Sequence, residues 1–241
     1  MQAVCFEEKV FALPHRTDAH APLFTENGQT RLNLELHNGR ECETVEELLD
    51  AAGSAGHPFS RWSTIRRLRQ IHGSSALLKV SAPFSALMQM TRSDRMFHWL
   101  GRKPEQVRKA LALTSDATVA ACAEAVRYGA RVISLADPCA MPELLGEKRY
   151  RAFAADYAVQ VIRGLLPLMD GSLIHLCPRL SFTLEHMGYL TSEKISLAGG
   201  LYASAICLQA GQRGAPLMGH HCLHDPSPEG GSHGYALRLN A

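Results

Sequence analysis

Arg131-Val132-Ile133-Ser134-Leu135-Ala136-Asp137-Pro138 is the stretch that decides the fold. It is short, β-branched and mostly apolar, and it stops at an aspartate and a proline, a turn signal. A run with little alternation belongs to a strand covered on both faces, the habit of parallel sheets under helices. The same pattern recurs at Ala76-Leu77-Leu78-Lys79-Val80-Ser81, closed by Ala82-Pro83, and at Ser172 to Cys177. It recurs again at Lys194-Ile195-Ser196-Leu197-Ala198 and at Ala215-Pro216-Leu217-Met218-Gly219. Helical periodicity fills each interval. Pro104 suits the first turn of a helix reaching Tyr128 and stopped by Gly129. Further helices are expected from Glu147 to Leu166, from Leu180 to Met187 before Gly188, and from Tyr202 to Gln209. Five strands alternating with helices predict parallel pairing with right-handed crossovers. A (β/α) barrel and an open doubly wound sheet both satisfy this pattern.

Upstream, Arg31-Leu32-Asn33-Leu34-Glu35-Leu36-His37 alternates like a strand before Asn38-Gly39. Thr44-Val45-Glu46-Glu47 forms a capping box ahead of a helix carrying Val45, Leu48, Leu49 and Ala52. Another helix is expected from about Ser60 to His72. The arginines Arg61, Arg66, Arg67 and Arg69 would lie on its wet face. The chain reads as a single domain over 1–241. Residues 1–40 form a separate leading segment and 225–241 a loop-like tail, Pro- and Gly-rich at its start.

Composition narrows the function classes. The 241 residues are 46% hydrophobic and 20% charged, with a net charge of +2. Near-neutrality gives no basis for a nucleic-acid partner. No apolar run approaches the roughly 18 residues of a spanning helix, and Met1 to Lys9 does not read as a signal peptide. Seven scattered cysteines without a CxxC point to a reduced, cytoplasmic setting, with most thiols buried. No phosphate-binding glycine motif is present.

The candidate chemistry sits at strand ends. In Ile174-His175-Leu176-Cys177 the imidazole and thiol are two residues apart, hence on one face of a strand. A buried thiol beside a hydrogen-bonded core histidine is the plain reading. The sharper one is a zinc pair completed by Cys222 in Gly219-His220-His221-Cys222-Leu223-His224, leaving an open position as catalytic zinc sites do. His220, His221 and His224 are alternative ligands or solvated loop residues. Glu185 and Glu193 read as surface carboxylates. Asp137 either caps the next turn or orients a ligand and accepts a proton. Gly199-Gly200 reads as a turn, and Leu87-Met88-Gln89-Met90 as core.

Several of these stretches resemble the uroporphyrinogen decarboxylase superfamily, and within it the methylcobamide:coenzyme M methyltransferases. Leu78 to Ser85 is similar to the family's strand ending in G-P-[FW]-[ST], with Ala82 for Gly. Tyr128 to Pro138 resembles its G-A-D-x-I-x-x-x-D-P segment. His175-Leu176-Cys177 matches the family's H-x-C, with Pro178 where Gly is usual.

The resemblance implies a TIM-like (β/α) barrel. It also implies zinc held by His175, Cys177 and Cys222, with Asp137 near the pocket. The activity it implies is methyl transfer from a methylcobamide, free or carried on a corrinoid protein, to a small thiol or a pterin. Only 75 residues precede Ala76, too few for the family's leading elements. The barrel is therefore expected to be shortened, with an open edge that a partner or a second copy of the chain would cover. The N-terminal motif of true decarboxylases is not visible, which argues against porphyrinogen decarboxylation. A corrinoid- or metal-binding protein without turnover is the other alternative.

Overall fold

The computed structural model describes residues 24–26, 29–34, 41–54, 76–198, 200–210, 214–224 and 232–240. The expected helix from Ser60 to His72 with its arginines, the Asn38-Gly39 turn and Gly199 lie outside these residues.

Eight strands form one sheet: β1 (Phe24–Glu26), β2 (Gln29–Leu34), β3 (Ala76–Ser81), β4 (Val132–Ala136), β5 (Leu173–Leu176), β6 (Leu190–Ser196), β7 (Leu217–Gly219) and β8 (His233–Leu239). Their order is β1-β2-β3-β4-β5-β7-β8-β6. From β2 to β7 all neighbours are parallel, while β1 pairs antiparallel with β2 and β8 pairs antiparallel with both β7 and β6. No pairing joins β1 to β6 among the described residues, so the sheet is open.

Two expectations are corrected here. The strand expected at Lys194–Ala198 is β6, and it lies at the outer edge, not inside the parallel run. Its residues 191–194 are exposed on both faces, whereas all three residues of β7 are buried. The polar strand cannot take the central place, so β7 sits directly beside β5. The second correction concerns the tail: His233–Leu239 is a strand with Gly234, Ala236 and Leu237 turned inward. A Cβ added at Gly234 would stand 2.7 Å from Met218 Cε and 2.8 Å from Leu197 Cδ1, so a larger residue there would make these side chains shift.

The helices follow their sequence signals. In α1 (Val45–Ser54), the Glu47 N–H donates to Thr44 Oγ1 at 3.1 Å, while Glu47 Oε2 accepts from the Glu43 N–H at 2.8 Å, one residue earlier than an ideal box. After β3 come α2 (Pro83–Met88), α3 (Ser93–Arg102) and the long α4 (Pro104–Arg127), which ends at Gly129 with φ +101°. The helical stretch expected from Glu147 is α6 (Glu147–Tyr150), a π turn at Arg151–Ala155 and α7 (Asp156–Leu165), preceded by the short α5 (Pro142–Leu145). Helix α8 spans Pro178–His186 and α9 spans Tyr202–Gln209. Where α4 crosses α7, a Cβ on Gly164 would lie 2.9 Å from Val119, so glycine sets that close approach.

Register sorts the two faces of the sheet. Leu78, Ile133 and Ile174 align across β3, β4 and β5 and face the core under α1 to α8. Leu77, Val132 and Leu173 align on the opposite face, where α9 covers them. Each fully buried aliphatic side chain is worth roughly 1.5–3 kcal/mol. A slip of one residue would invert both sets, so the register is firmly specified. It puts Ser134 and His175 side by side on the α9 face, next to Met218 of β7.

Candidate functional site

Because β3, β4, β5 and β7 are parallel, their C-terminal ends share one edge. Ala82, Asp137, Cys177 and His220 follow directly at or after those ends. This is where parallel α/β folds gather their chemistry.

His175 is 1% exposed and both its ring nitrogens are engaged. Nε2 lies 3.0 Å from the His221 carbonyl, which can only accept, so Nε2 carries the proton. Nδ1 then accepts from Ser134 Oγ at 2.9 Å. Burial pushes the His175 pKa down to about 4, with the His221 carbonyl opposing, so the ring is neutral at pH 7. Tyr202, the first residue of α9, packs edge-on to His175 with centroids 5.8 Å apart and against His221 at 5.0 Å. Burial, then the neighbouring Cys222, raises the Tyr202 pKa.

Cys177 is the N-cap residue of α8, with Pro178 in the first turn, and its N–H donates to the Leu135 carbonyl at 2.9 Å. The thiol therefore stands at the positive end of the helix dipole. Cys222 lies in the turn after β7, and its Sγ accepts from the His224 N–H at 3.5 Å. Both cysteines are half-buried and reduced.

The His220–His224 segment is not a solvated loop throughout. His220 is 6% exposed, has a left-handed φ of +68°, and stacks on Phe182 at 4.1 Å and 12°. Its N–H donates to Ser181 Oγ at 2.9 Å, and Nδ1 lies 3.0 Å from the same oxygen. Glu185 Oε2 is 2.9 Å from Nε2. Burial lowers the His220 pKa and Glu185 pulls it back. His221 packs against His233 and Tyr235 of β8 at 5.1 and 5.5 Å.

The Asp137 side chain reaches across to α2 and not to the turn that follows it. Its Oδ1 accepts from the Ser85 N–H at 3.0 Å in the first turn of α2 and from Ser85 Oγ at 2.5 Å. Ser85 Oγ in turn accepts from the Cys139 N–H at 2.9 Å. Oδ2 is buried with no hydrogen-bond partner among the described residues. Burial raises the Asp137 pKa to about 6 against the pull of the Ser85 bonds.

One neutral imidazole and two thiols make a donor set whose chemistry suits zinc. It is not drawn together: among the described residues no three His, Cys, Asp or Glu side chains converge enough to hold a metal ion. For His175 the reason is visible, since Nε2 is spent on the His221 carbonyl. Glu193 pairs instead with Arg238 at the exposed edge.

Ser134, Ser181, Tyr202 and Tyr235 are site residues that the sequence does not announce. Only strand register and the β8 pairing bring them in.

An α/β protein with its polar residues collected at the C-terminal edge of an open parallel sheet is the class these features define. The uroporphyrinogen decarboxylase (URO-D) family model matches residues 42–220, and the chain belongs to that family, whose TIM-like barrel it carries as an open, partial version. Among curated proteins, a methylcobamide:CoM methyltransferase of Methanosarcina acetivorans is 28% identical over 143 residues, 58% of this chain and 42% of the relative. A second, from Methanosarcina barkeri, is 26% identical over 125 residues, 49% of this chain and 36% of the relative. The chain thus spans less than half the length of these relatives. A solved methyltransferase structure from Methanosarcina mazei has a TM-score of 0.41 and 19% identity, covering 53% of this chain and 34% of that one. No helix among the described residues is long and apolar enough to cross a membrane.

Proposed function

We propose that this chain serves methyl transfer from a methylcobamide to a thiol acceptor. His175, Cys177 and Cys222 are the residues that would hold a zinc ion. The reading rests above all on one juxtaposition: His175 lies in β5, Cys177 follows directly after it, and the strand beside it, β7, leads into the turn bearing Cys222. The family match and the similarity to named methylcobamide:CoM methyltransferases support the substrate class.

A bound zinc supplies Lewis acidity that keeps an acceptor thiol deprotonated near neutral pH. The chain's own residues prepare that chemistry. Burial keeps His175 neutral, the protonation state a ligand needs. Ser134 fixes the ring's orientation, as partners of ligating histidines do. To serve as a ligand, Nε2 would have to leave the His221 carbonyl and the ring proton would move to Nδ1, with Ser134 Oγ then accepting it. Asp137 Oδ2, at the end of β4, is assigned to orienting a polar atom of the ligand. A methylcobamide would supply the methyl group, the acceptor thiol would lose its proton to solvent to become the nucleophile, and the cobamide would leave with the electron pair of the bond that held the methyl.

The test is incubation of zinc-loaded protein with methylcobalamin and 2-mercaptoethanesulfonate or homocysteine, following loss of the methylcobalamin absorbance and formation of the methyl thioether. Turnover abolished in Cys177→Ala is expected. A second reading, a binding protein of the same family without turnover, draws on the open sheet and the doubly engaged His175. Tight cobamide or zinc binding with no thioether formed would favour it.

A further inference from the structure

Asp137 follows β4 directly, where β3 ends beside it: the Ala82 N–H donates to the Ala136 carbonyl at 2.8 Å. Its side chain is 5% exposed, and its two oxygens have different fates. Oδ1 receives both donors of Ser85, the N–H at 3.0 Å and the hydroxyl at 2.5 Å. Ser85 Oγ accepts the Cys139 N–H at 2.9 Å, so its own proton is the one aimed at Asp137. Oδ2 receives no hydrogen bond among the described residues.

No cation offsets the buried carboxyl either: burial and the two Ser85 bonds are the influences on it. Tyr150, 1% exposed, is near enough that the carboxylate is, after burial, the next influence raising its pKa, but its hydroxyl is engaged by Thr183. A buried acceptor without a donor costs free energy. The tie to Ser85 needs only Oδ1, so it does not account for the second oxygen. With a pKa of about 6 the carboxyl is ionised at neutral pH, and Oδ2 can then only accept. It suits an N–H and repels a carboxylate or a sulfonate. A cobamide carries neutral carboxamide arms around its ring, each ending in two N–H donors, and its propionamides are the longest of these. 2-Mercaptoethanesulfonate offers a sulfonate and no N–H.

We propose that Asp137 Oδ2 accepts an N–H from a propionamide arm of the cobamide, and that Ser85 is the positioning residue that holds the carboxyl by its other oxygen. Asp137 is thereby a specificity residue for the methyl donor. The proposal rests on the cobamide reading of this chain and is independent of any metal ligand.

Equilibrium binding of cyanocobalamin to the full chain at neutral pH tests it. The b-, d- and e-monocarboxylic acids of cyanocobalamin, each with one propionamide replaced by a carboxylate, are the further probes. In Asp137→Asn the two Ser85 donors keep the amide oxygen in the place of Oδ1, so Nδ2 replaces Oδ2 and an acceptor becomes a donor. The variant should bind cyanocobalamin about 10-fold or more weakly, the scale of a hydrogen bond to a charged group. One of the three acids should bind the original chain about 10-fold or more weakly than cyanocobalamin, and should recover in Asp137→Asn, where Nδ2 donates to its carboxylate. The acid series on the original chain serves if the variant does not fold. Cyanocobalamin bound equally by both proteins, with all three acids bound like the parent, overturns the contact and leaves the methyl-transfer reading intact. Homocysteine, whose ammonium is another N–H source, is titrated in parallel; a loss in Asp137→Asn confined to homocysteine also overturns the contact. No cyanocobalamin binding by the original chain overturns the cobamide reading and the contact with it.

Discussion

Asp137 offers a prediction that can be worked in detail. Its carboxyl is 5% exposed and its pKa is raised from the ordinary 3.8 to about 6, chiefly by burial. Between those values the folded protein holds a proton that the unfolded chain has released. The associated stability is fully present below about pH 4 and is lost as pH rises through 6. At about 1.4 kcal/mol per pH unit, the loss from this one group is about 3 kcal/mol. Asp137→Asn keeps an oxygen to accept from Ser85 and removes the titration. Urea unfolding followed by circular dichroism, with chelator present, should be run from pH 4 to pH 7 on both proteins. Relative to the variant, the original chain should become less stable by about 2.5 kcal/mol across that interval. The absolute offset between the two proteins is immaterial, because only the change with pH carries the group's signature. Parallel pH profiles would refute the reasoning, and would mean that water or a partner group solvates Oδ2.

Other outcomes follow from single contacts. Gly219→Ala should destabilise by about 1–3 kcal/mol, since its Cβ would stand 2.8 Å from Ser181 and 2.7 Å from Leu237 in a packed layer; thermal melts will show it, and an unchanged melting temperature would contradict the close packing of β7 on α8. Thr44→Ala removes the hydroxyl that accepts the Glu47 N–H and should cost about 1 kcal/mol in the same assay.

Much of this architecture is legible in the sequence, for a physical reason. Strands buried on both faces, such as Val132–Ala136 and Leu173–Leu176, must be continuous apolar runs, and long helices must repeat near 3.6. What escapes is strand order. Lys194 and Leu217 both lie in short runs that follow helices, and only burial separates the polar edge strand β6 from the buried β7. Strand β8 escapes for another reason: its inward positions include Gly234 and Ala236, small residues that carry little hydrophobic signal. His175 is legible as a strand residue, whereas Cys177 falls just past the strand, as the N-cap of α8. The surroundings of these residues are set by register and tertiary approach, which bring Ser134 beside His175, Ser181 against His220, and Tyr202 against His175 and His221. Glu185 looks like a surface carboxylate in sequence. In the fold it accepts from Ser192 and faces His220.

The most direct test of the account is X-ray absorption at the zinc edge on protein purified without chelator, together with metal analysis. The account predicts close to one zinc per chain, with a first shell of two sulfurs and at least one imidazole nitrogen, and loss of one sulfur in Cys177→Ala and in Cys222→Ala. A folded chain that binds no zinc, or binds it through oxygen and nitrogen alone, would contradict the assignment of His175, Cys177 and Cys222 as its ligands.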